Sequence, residues 1–224
     1  MTKPVAREPL RRNARSNRAR ILATAREELG RNPDVTLEEL ARAAGVVRRT
    51  LFGHFPGRAA LLEALAEEAA ETLRSTVEAG AGEGAAAGAE EPEESAERAL
   101  ARFVFRMWPV GDRYRMLLAL ARRDLGSERV AEVLAPAREA TTGILERGQR
   151  DGVFHSHLPP AVLSAGLEAM HVSLLESVNT GALEDSGHRI ATAILIAAGV
   201  PEKRASAVVE EVASAMRAAP ADEA

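Results

Sequence analysis

Apolar residues recur along most of the chain at steps of three and four, the spacing that puts them on one face of an α-helix. Ile21, Leu22, Ala25 and Leu29 form such a stripe, as do Leu61, Leu62, Leu65, Ala69 and Leu73, and Leu163, Leu167, Met170, Leu174 and Val178. No stretch keeps the period-two alternation of a half-buried strand, and β-branched residues stand singly among Ala, Leu, Glu and Arg. The pattern therefore predicts an all-α chain.

Punctuation sets the helix limits. The first helix is expected from about Asn17 to Leu29, ended by Gly30, Asn32 and Pro33. Thr36-Leu-Glu-Glu39 has the spacing of a capping box, in which a hydroxyl and a carboxylate satisfy two free amides at a helix start. Gly45 stops that helix after two turns, a third covers about Val47–His54, and Pro56-Gly57 turns the chain into a fourth, about Arg58–Ala79. Residues 80–94, rich in Gly and Glu and without a large apolar side chain, read as a mobile loop. Further helices are expected at about Ser95–Trp108, Asp112–Asp124, Glu128–Asp151 (kinked at Pro136), Pro160–Asn179, Gly187–Ala198 and Pro201–Ala218. Pro160 and Pro201 suit first-turn positions, where a missing N–H costs nothing.

Charge adds an asymmetry. The net charge of −4 hides a head, residues 1–62, at +7 and a remainder at −11. A basic head on an acidic body implies a polyanion as the head's partner. The chain has no cysteine, which excludes disulfides, thiolate nucleophiles and Cys-based zinc sites and fits a reducing cytoplasm. The longest apolar runs fall short of the roughly 20 residues of a membrane span, and no signal-peptide pattern follows the basic N-terminus. No cofactor and no metal is expected: His155-Ser-His157 reads as a solvated connector with only Asp151 nearby as a third ligand. Nothing assembles a nucleophile with a base, so an enzyme is not expected.

The segment Thr36–Leu61 decides the function. Ala41 sits where two short helices must approach closely, Gly45 four residues on takes the turn, and Leu40, Val46 and Leu51 plug the space between them. That is a helix-turn-helix plan, with the second helix available to a DNA major groove. The run AGVVRRTLFGHFPGRAAL resembles the signature of the tetracycline-repressor-like (TetR) family: Ala44, Gly45, Val46, Thr50, Leu51, His54, Phe55 and Leu61 match, Phe52 replaces Tyr and Arg58 replaces Lys. Val47 stands where the family commonly has a capping Ser, and Arg49 where Gly or Ala is frequent. The resemblance is strong over residues 16–62 and rests elsewhere on length and helical layout.

It implies a helix-turn-helix head with a basic arm, residues 1–60, and a helical effector-binding and dimerisation domain, residues 61–224. It implies double-stranded operator DNA as partner, a homodimer, and a small-molecule effector that releases a repressor. A regulator without such an effector, controlled by a protein or acting as an activator, and a helical enzyme with an incidental head are the alternatives. The DNA-facing set is Thr36, Val47, Arg48, Arg49, Thr50, His54 and Arg58. Thr36, His54 and Arg58 are assigned to phosphates, and Arg48 and Arg49 to guanine edges, which guanidinium groups pair bidentately. Thr50 is given a thymine methyl or a phosphate. Arg7, Arg11, Arg12 and Arg15 form the arm, which either enters the minor groove or adds non-specific charge. The effector would lie among Phe103, Phe105, Met107, Trp108, Tyr114, Met116, Met170 and His171, a mixed lining suited to an apolar molecule with one or two polar anchors. The small residues Ala165, Gly166, Ala169, Ala191, Ala193, Ala197 and Ala198 would let dimer helices come close.

Overall fold

The computed structural model describes residues 7–86 and 94–218, with backbone alone over 7–12 and 81–86. Among these residues it holds α1 (Arg7–Arg31), α2 (Leu37–Ala43), α3 (Arg48–His54), α4 (Arg58–Ala86), α5 (Ala96–Asp124), α6 (Ser127–Arg150), α7 (Pro160–Asn179), α8 (His188–Ala197) and α9 (Glu202–Ala218), and no strand.

Three elements differ from the sequence reading. α1 begins at Arg7, because nothing in REPLRRNARS breaks a helix and Pro9 falls in the first turn, where its ring is tolerated. The arm is thus helical from Arg7, and Arg15 is an exposed residue of α1 rather than part of an extended tail. The side chains of Arg7, Arg11 and Arg12 lie outside the described residues. α4 runs on to Ala86, because alanines at the strong end of helix propensity outweigh the glycines among them. The remainder of the expected loop, from residue 87 to 93, lies outside the described residues. α5 is one helix through Pro109 where two were expected. Proline removes a single helical hydrogen bond there, Pro109 faces solvent, and the buried stripe Val104, Met107, Val110 stays in register across it.

The chain forms two compact units. The first joins the residues up to Ala69 with Met116–Ala131. In it α1, α2 and α3 pack on one another around Ile21, Leu22, Ala25, Leu29, Leu40, Ala41, Leu51 and Phe55, all buried. The end of α5 and start of α6 join this head through specific contacts. Met116 lies so close to α1 that a Cβ on Gly30 would stand 3.2 Å from its own Cβ, Arg129 pairs with Glu63 on α4, and Asp124 meets Arg58.

The second unit comprises Ala70–Arg115 and the chain from Glu132 onward. Its main core gathers Leu100, Ala101, Val104, Leu145, Leu163, Leu167, Ile190, Leu195, Val208 and Val212 from α5 to α9. A smaller cluster sets Leu73 of α4 with Met107 and Val110 of α5, flanked by Phe103, Tyr114, Val133 and Leu134. Two glycines are required by close approach: a Cβ at Gly148 would overlap the Phe154 ring, and one at Gly199 would stand 2.9 Å from the His155 nitrogen. Gly199 also has φ +108. His155 is fastened to the end of α8, with its amide donating to Ala198 O at 3.0 Å and its Nε2 3.1 Å from Ala197 O. The ring of His157 stacks on it. No group of three metal-ligating side chains occurs among the described residues.

α7 is the one described helix long and apolar enough to cross a membrane, with mean hydropathy 1.2. It is a packing helix of the second unit: Leu163, Ser164, Leu167, Val172 and Leu175 are buried. Its Glu168 takes both Nε and Nη2 of Arg138 at 2.9 Å, and this partner raises the Arg138 pKa.

Candidate nucleic-acid interface

The geometry around α3 is built from α2 upward. The hydroxyl of Thr36 accepts from the Glu39 amide at 3.2 Å, and the Glu39 carboxylate accepts from the Thr36 amide at 2.8 Å and hydroxyl at 2.7 Å. The capping box is complete, and these bonds hold the Glu39 pKa below the usual carboxylate range. The amide and hydroxyl of Thr36, assigned to a phosphate from the sequence, are thereby both engaged by Glu39. Gly45 turns the chain at φ +63, a left-handed conformation that glycine adopts without strain.

α3 starts at Val47, whose side chain makes no capping bond. Val47 is 70% exposed and presents an apolar isopropyl group at the head of the helix. Behind it, Leu51 and Phe55 are buried and fix which face of α3 looks outward. Arg48 is held on that face from two sides: its guanidinium lies 3.1 Å from Glu38 on α2 and 5.1 Å from the centre of the Phe52 ring one turn on. Arg49 is exposed, and among the described residues it has no hydrogen-bond or ion-pair partner. Thr50 and His54 are half-buried, His54 with its ring tilted against Phe55 at 6.2 Å.

Arg58, expected at a phosphate, has its guanidinium engaged within the protein. Its Nη1 donates to Val35 O at 3.0 Å, its Nη2 donates to Pro33 O, and its Nε lies 3.4 Å from Asp124 Oδ2. The guanidinium therefore fastens the loop that leads into α2 to the start of α4 and the end of α5. Asp124 is held below its usual pKa first by its bond to Arg123 and then by Arg58. Glu38 and Asp124 are the residues that sequence reasoning missed. Glu38 lies on another helix from Arg48, and Asp124 is 66 positions from Arg58, so no helical spacing connects either pair.

The residues expected around an effector divide in the second unit. Phe103, Met107 and Tyr114 belong to the cluster with Leu73 and Val110, while Phe105, Trp108 and Met170 pack against the main core. Phe105 also meets the His188 ring edge-on at 4.9 Å. His171 faces α5 at Gly111. Met116 does not join them, since it belongs to the head unit, 45% exposed. Of the small residues expected at a dimer interface, Ala165, Gly166 and Ala169 of α7 are exposed, whereas Ala191 and Ala198 are packed inside the unit's own core.

With this geometry in hand, comparison with known proteins is specific. Residues 21–65 match the family described as bacterial regulatory proteins, tetR family. No curated protein matches the chain in sequence. Among solved structures it is similar to a gamma-butyrolactone receptor (ArpA like protein), with a TM-score of 0.61 at 21% identity over 92% of this chain and 98% of that one. It is also similar to the TetR family protein CprB from S. coelicolor, with a TM-score of 0.64 at 21% identity over 90% and 98%. The MbdR regulator from Azoarcus sp. CIB gives a TM-score of 0.64 at 19% identity over 83% and 98%. At these identities the likeness establishes the fold.

Proposed function

Because residues 21–65 match the tetR family of bacterial regulatory proteins, we propose that the chain is a member of that family and a dimeric repressor whose operator binding is released by a small molecule. The observation that carries the DNA reading is α3 itself. It is a short helix seated on α2, with Arg49 exposed and unpartnered next to an exposed Val47. A long cation with nothing inside the protein to hold it gains most from a guanine edge, where O6 and N7 accept two hydrogen bonds. Arg48 reads beside it, oriented by Glu38 and stacked on Phe52. Val47 and Thr50 offer apolar and hydroxyl contacts for a thymine methyl or a phosphate, and His54 and Arg15 offer phosphate contacts. Arg58 serves the interface by position, holding the start of α2, rather than by touching DNA.

A second copy is supported by α7. Its exposed face is Val162, Ala165, Gly166, Ala169 and Ser173 at helical spacing, with Val162 53% exposed. A continuous face of small and apolar residues suits close approach of a symmetric partner helix. Two α3 helices then meet half-sites one helical turn apart. An effector taken up in the second unit acts through α4, α5 and α6, each of which contributes residues to both units. A small change in the spacing of the two α3 helices is enough to end tight binding. Such a protein works where the chromosome lies, in the cytoplasm.

The test is selection of bound duplexes from a random pool by the full chain. It should return a two-fold-related pair of half-sites, and Arg49→Ala should lose the selected base at one position of each. With roughly 6–10 phosphate contacts per dimer, log affinity should fall with log salt at a slope of about −5 to −9. A strictly monomeric protein, or one indifferent to sequence at low salt, overturns the reading.

A further inference from the structure

Glu38 is a carboxylate on the face of the head unit proposed to meet a polyanion. Its neighbour Glu39 is accounted for by the cap at Thr36, in which Glu38 takes no part. Glu38 reaches across to α3 instead, with Oε1 3.1 Å from Arg48 Nη2, and both side chains are open to water, Arg48 at 70% and Glu38 at 47%. An ion pair so exposed contributes little to folding, so stability is a poor reason for it. The Arg48 guanidinium also lies 5.1 Å from the centre of the Phe52 ring, which holds it from one turn further along α3. Arg49, next in the chain, is exposed and among the described residues has no hydrogen-bond or ion-pair partner. α3 thus presents two adjacent cations in different circumstances, one neutralised and held, the other free.

We propose that Glu38 is a specificity-determining residue: it reserves Arg48 for a guanine edge by denying it to the phosphates. The role presupposes the operator binding proposed above and adds what separates the two arginines. A guanidinium has five N–H donors. Nη2 of Arg48 faces Glu38, which leaves further N–H groups for bidentate pairing with guanine O6 and N7. A phosphate approaching the same guanidinium meets the Glu38 carboxylate beside it, and repulsion offsets most of the attraction. Guanine carries no net charge and escapes that penalty. An unpaired arginine gains from the phosphates of every duplex and adds affinity without sequence information. Specificity is a difference between affinities, so weakening the phosphate contact raises it as surely as strengthening the base contact. The Phe52 ring adds to this by limiting the side-chain freedom that Arg48 loses on binding.

The experiment uses the full chain and the duplex it selects from a random pool. Selection repeated with Arg48→Ala identifies the G·C pair that Arg48 reads, and a second duplex carries A·T at that pair in each half-site. Glu38→Gln keeps the size of the side chain and removes its charge. The expected result is that the preference for the selected duplex over the A·T duplex falls about tenfold in Glu38→Gln, while binding to a duplex of unrelated sequence is unchanged or tighter. The slope of log affinity against log salt should steepen by about 1.8 per dimer, as one arginine in each half-site is freed for a phosphate. In the Arg48→Ala background, Glu38→Gln should change neither quantity. Should Glu38→Gln fail to fold, Glu38→Ala is read in the same way. If Glu38 serves only the start of α2, where a carboxylate favours the helix dipole, its replacement lowers the melting temperature and weakens all duplexes alike, with preference and slope unmoved; that result overturns the proposal. A loss of preference that persists in the Arg48→Ala background also overturns it, because Glu38 then reads a base itself. An unaltered chain that selects no duplex refutes the regulator and this role together, whereas one that selects a duplex but keeps its preference in Glu38→Gln refutes the role alone.

Discussion

Replacing Arg58 by Gln separates two roles that one cation could play at this surface. In the structure its guanidinium donates to Pro33 O and Val35 O and pairs with Asp124. A hydrogen bond from a charged donor contributes about 1.5–3 kcal/mol, whereas a partly exposed ion pair such as that with Asp124 adds about 1 kcal/mol or less. Glutamine is shorter and reaches at most one of the two carbonyls, so the loss should be about 2–3 kcal/mol. That corresponds to a melting temperature about 5–10 °C lower for a chain of this size. At a temperature where the variant is still folded, operator affinity should fall because the start of α2 is no longer fastened. The slope of log affinity against log salt should stay unchanged, because no phosphate contact has been removed. The assay is a salt titration of binding to the selected duplex, beside thermal denaturation of the free protein. A slope shallower by about 1.8 per dimer, the loss of one phosphate contact in each half-site, with an unchanged melting temperature, would refute the assignment and return Arg58 to the DNA.

Three further outcomes follow from described contacts. Val47→Ser should supply the side-chain cap that α3 lacks and stabilise the head by about 1 kcal/mol, measured by urea denaturation; no gain would mean that the free amides at the helix start are already satisfied. Gly148→Ala should destabilise the second unit by about 1–3 kcal/mol, because its methyl group overlaps the Phe154 ring and would stand 2.9 Å from Ala96 Cβ; a neutral result in the same assay would show that Phe154 can move aside. His171, neutral in the folded chain with a pKa lowered from 6.5 to about 4, is more readily protonated when unfolded. Stability should therefore fall as pH drops from 6.5 toward 4 and level off below, by up to about 3 kcal/mol at 1.4 kcal/mol per pH unit. His171→Phe should flatten that part of the profile, and an unchanged profile would contradict the burial of the ring.

What the sequence revealed was what short-range chemistry decides. The Thr36–Glu39 box, the turn at Gly45, the missing cap at Val47 and the proline-led start of α7 each depend on a few neighbouring residues, and each stands in the structure as read. Pro109 misled because a local breaker was weighed without the buried stripe of Val104, Met107 and Val110 that carries α5 through it. Arg58 and Met116 were assigned from a motif and from composition. Their surroundings come from Asp124 and from Gly30, distant in the chain, and no period along the sequence announces such meetings. The same holds for Glu38 beside Arg48. The exposure of Arg49, in contrast, followed from Leu51 and Phe55 occupying the inner face of so short a helix.

That the first unit needs Met116–Ala131 as well as the N-terminal residues bears on how the protein is made. A ribosome that has released the chain through α3 has finished that helix but not the unit that holds it, since Leu117, Leu120 and Val130, buried members of that unit, are still unsynthesised. Prematurely ended products therefore lack part of the core that packs the N-terminal helices, and the first unit is complete only once the chain has been made through Ala131.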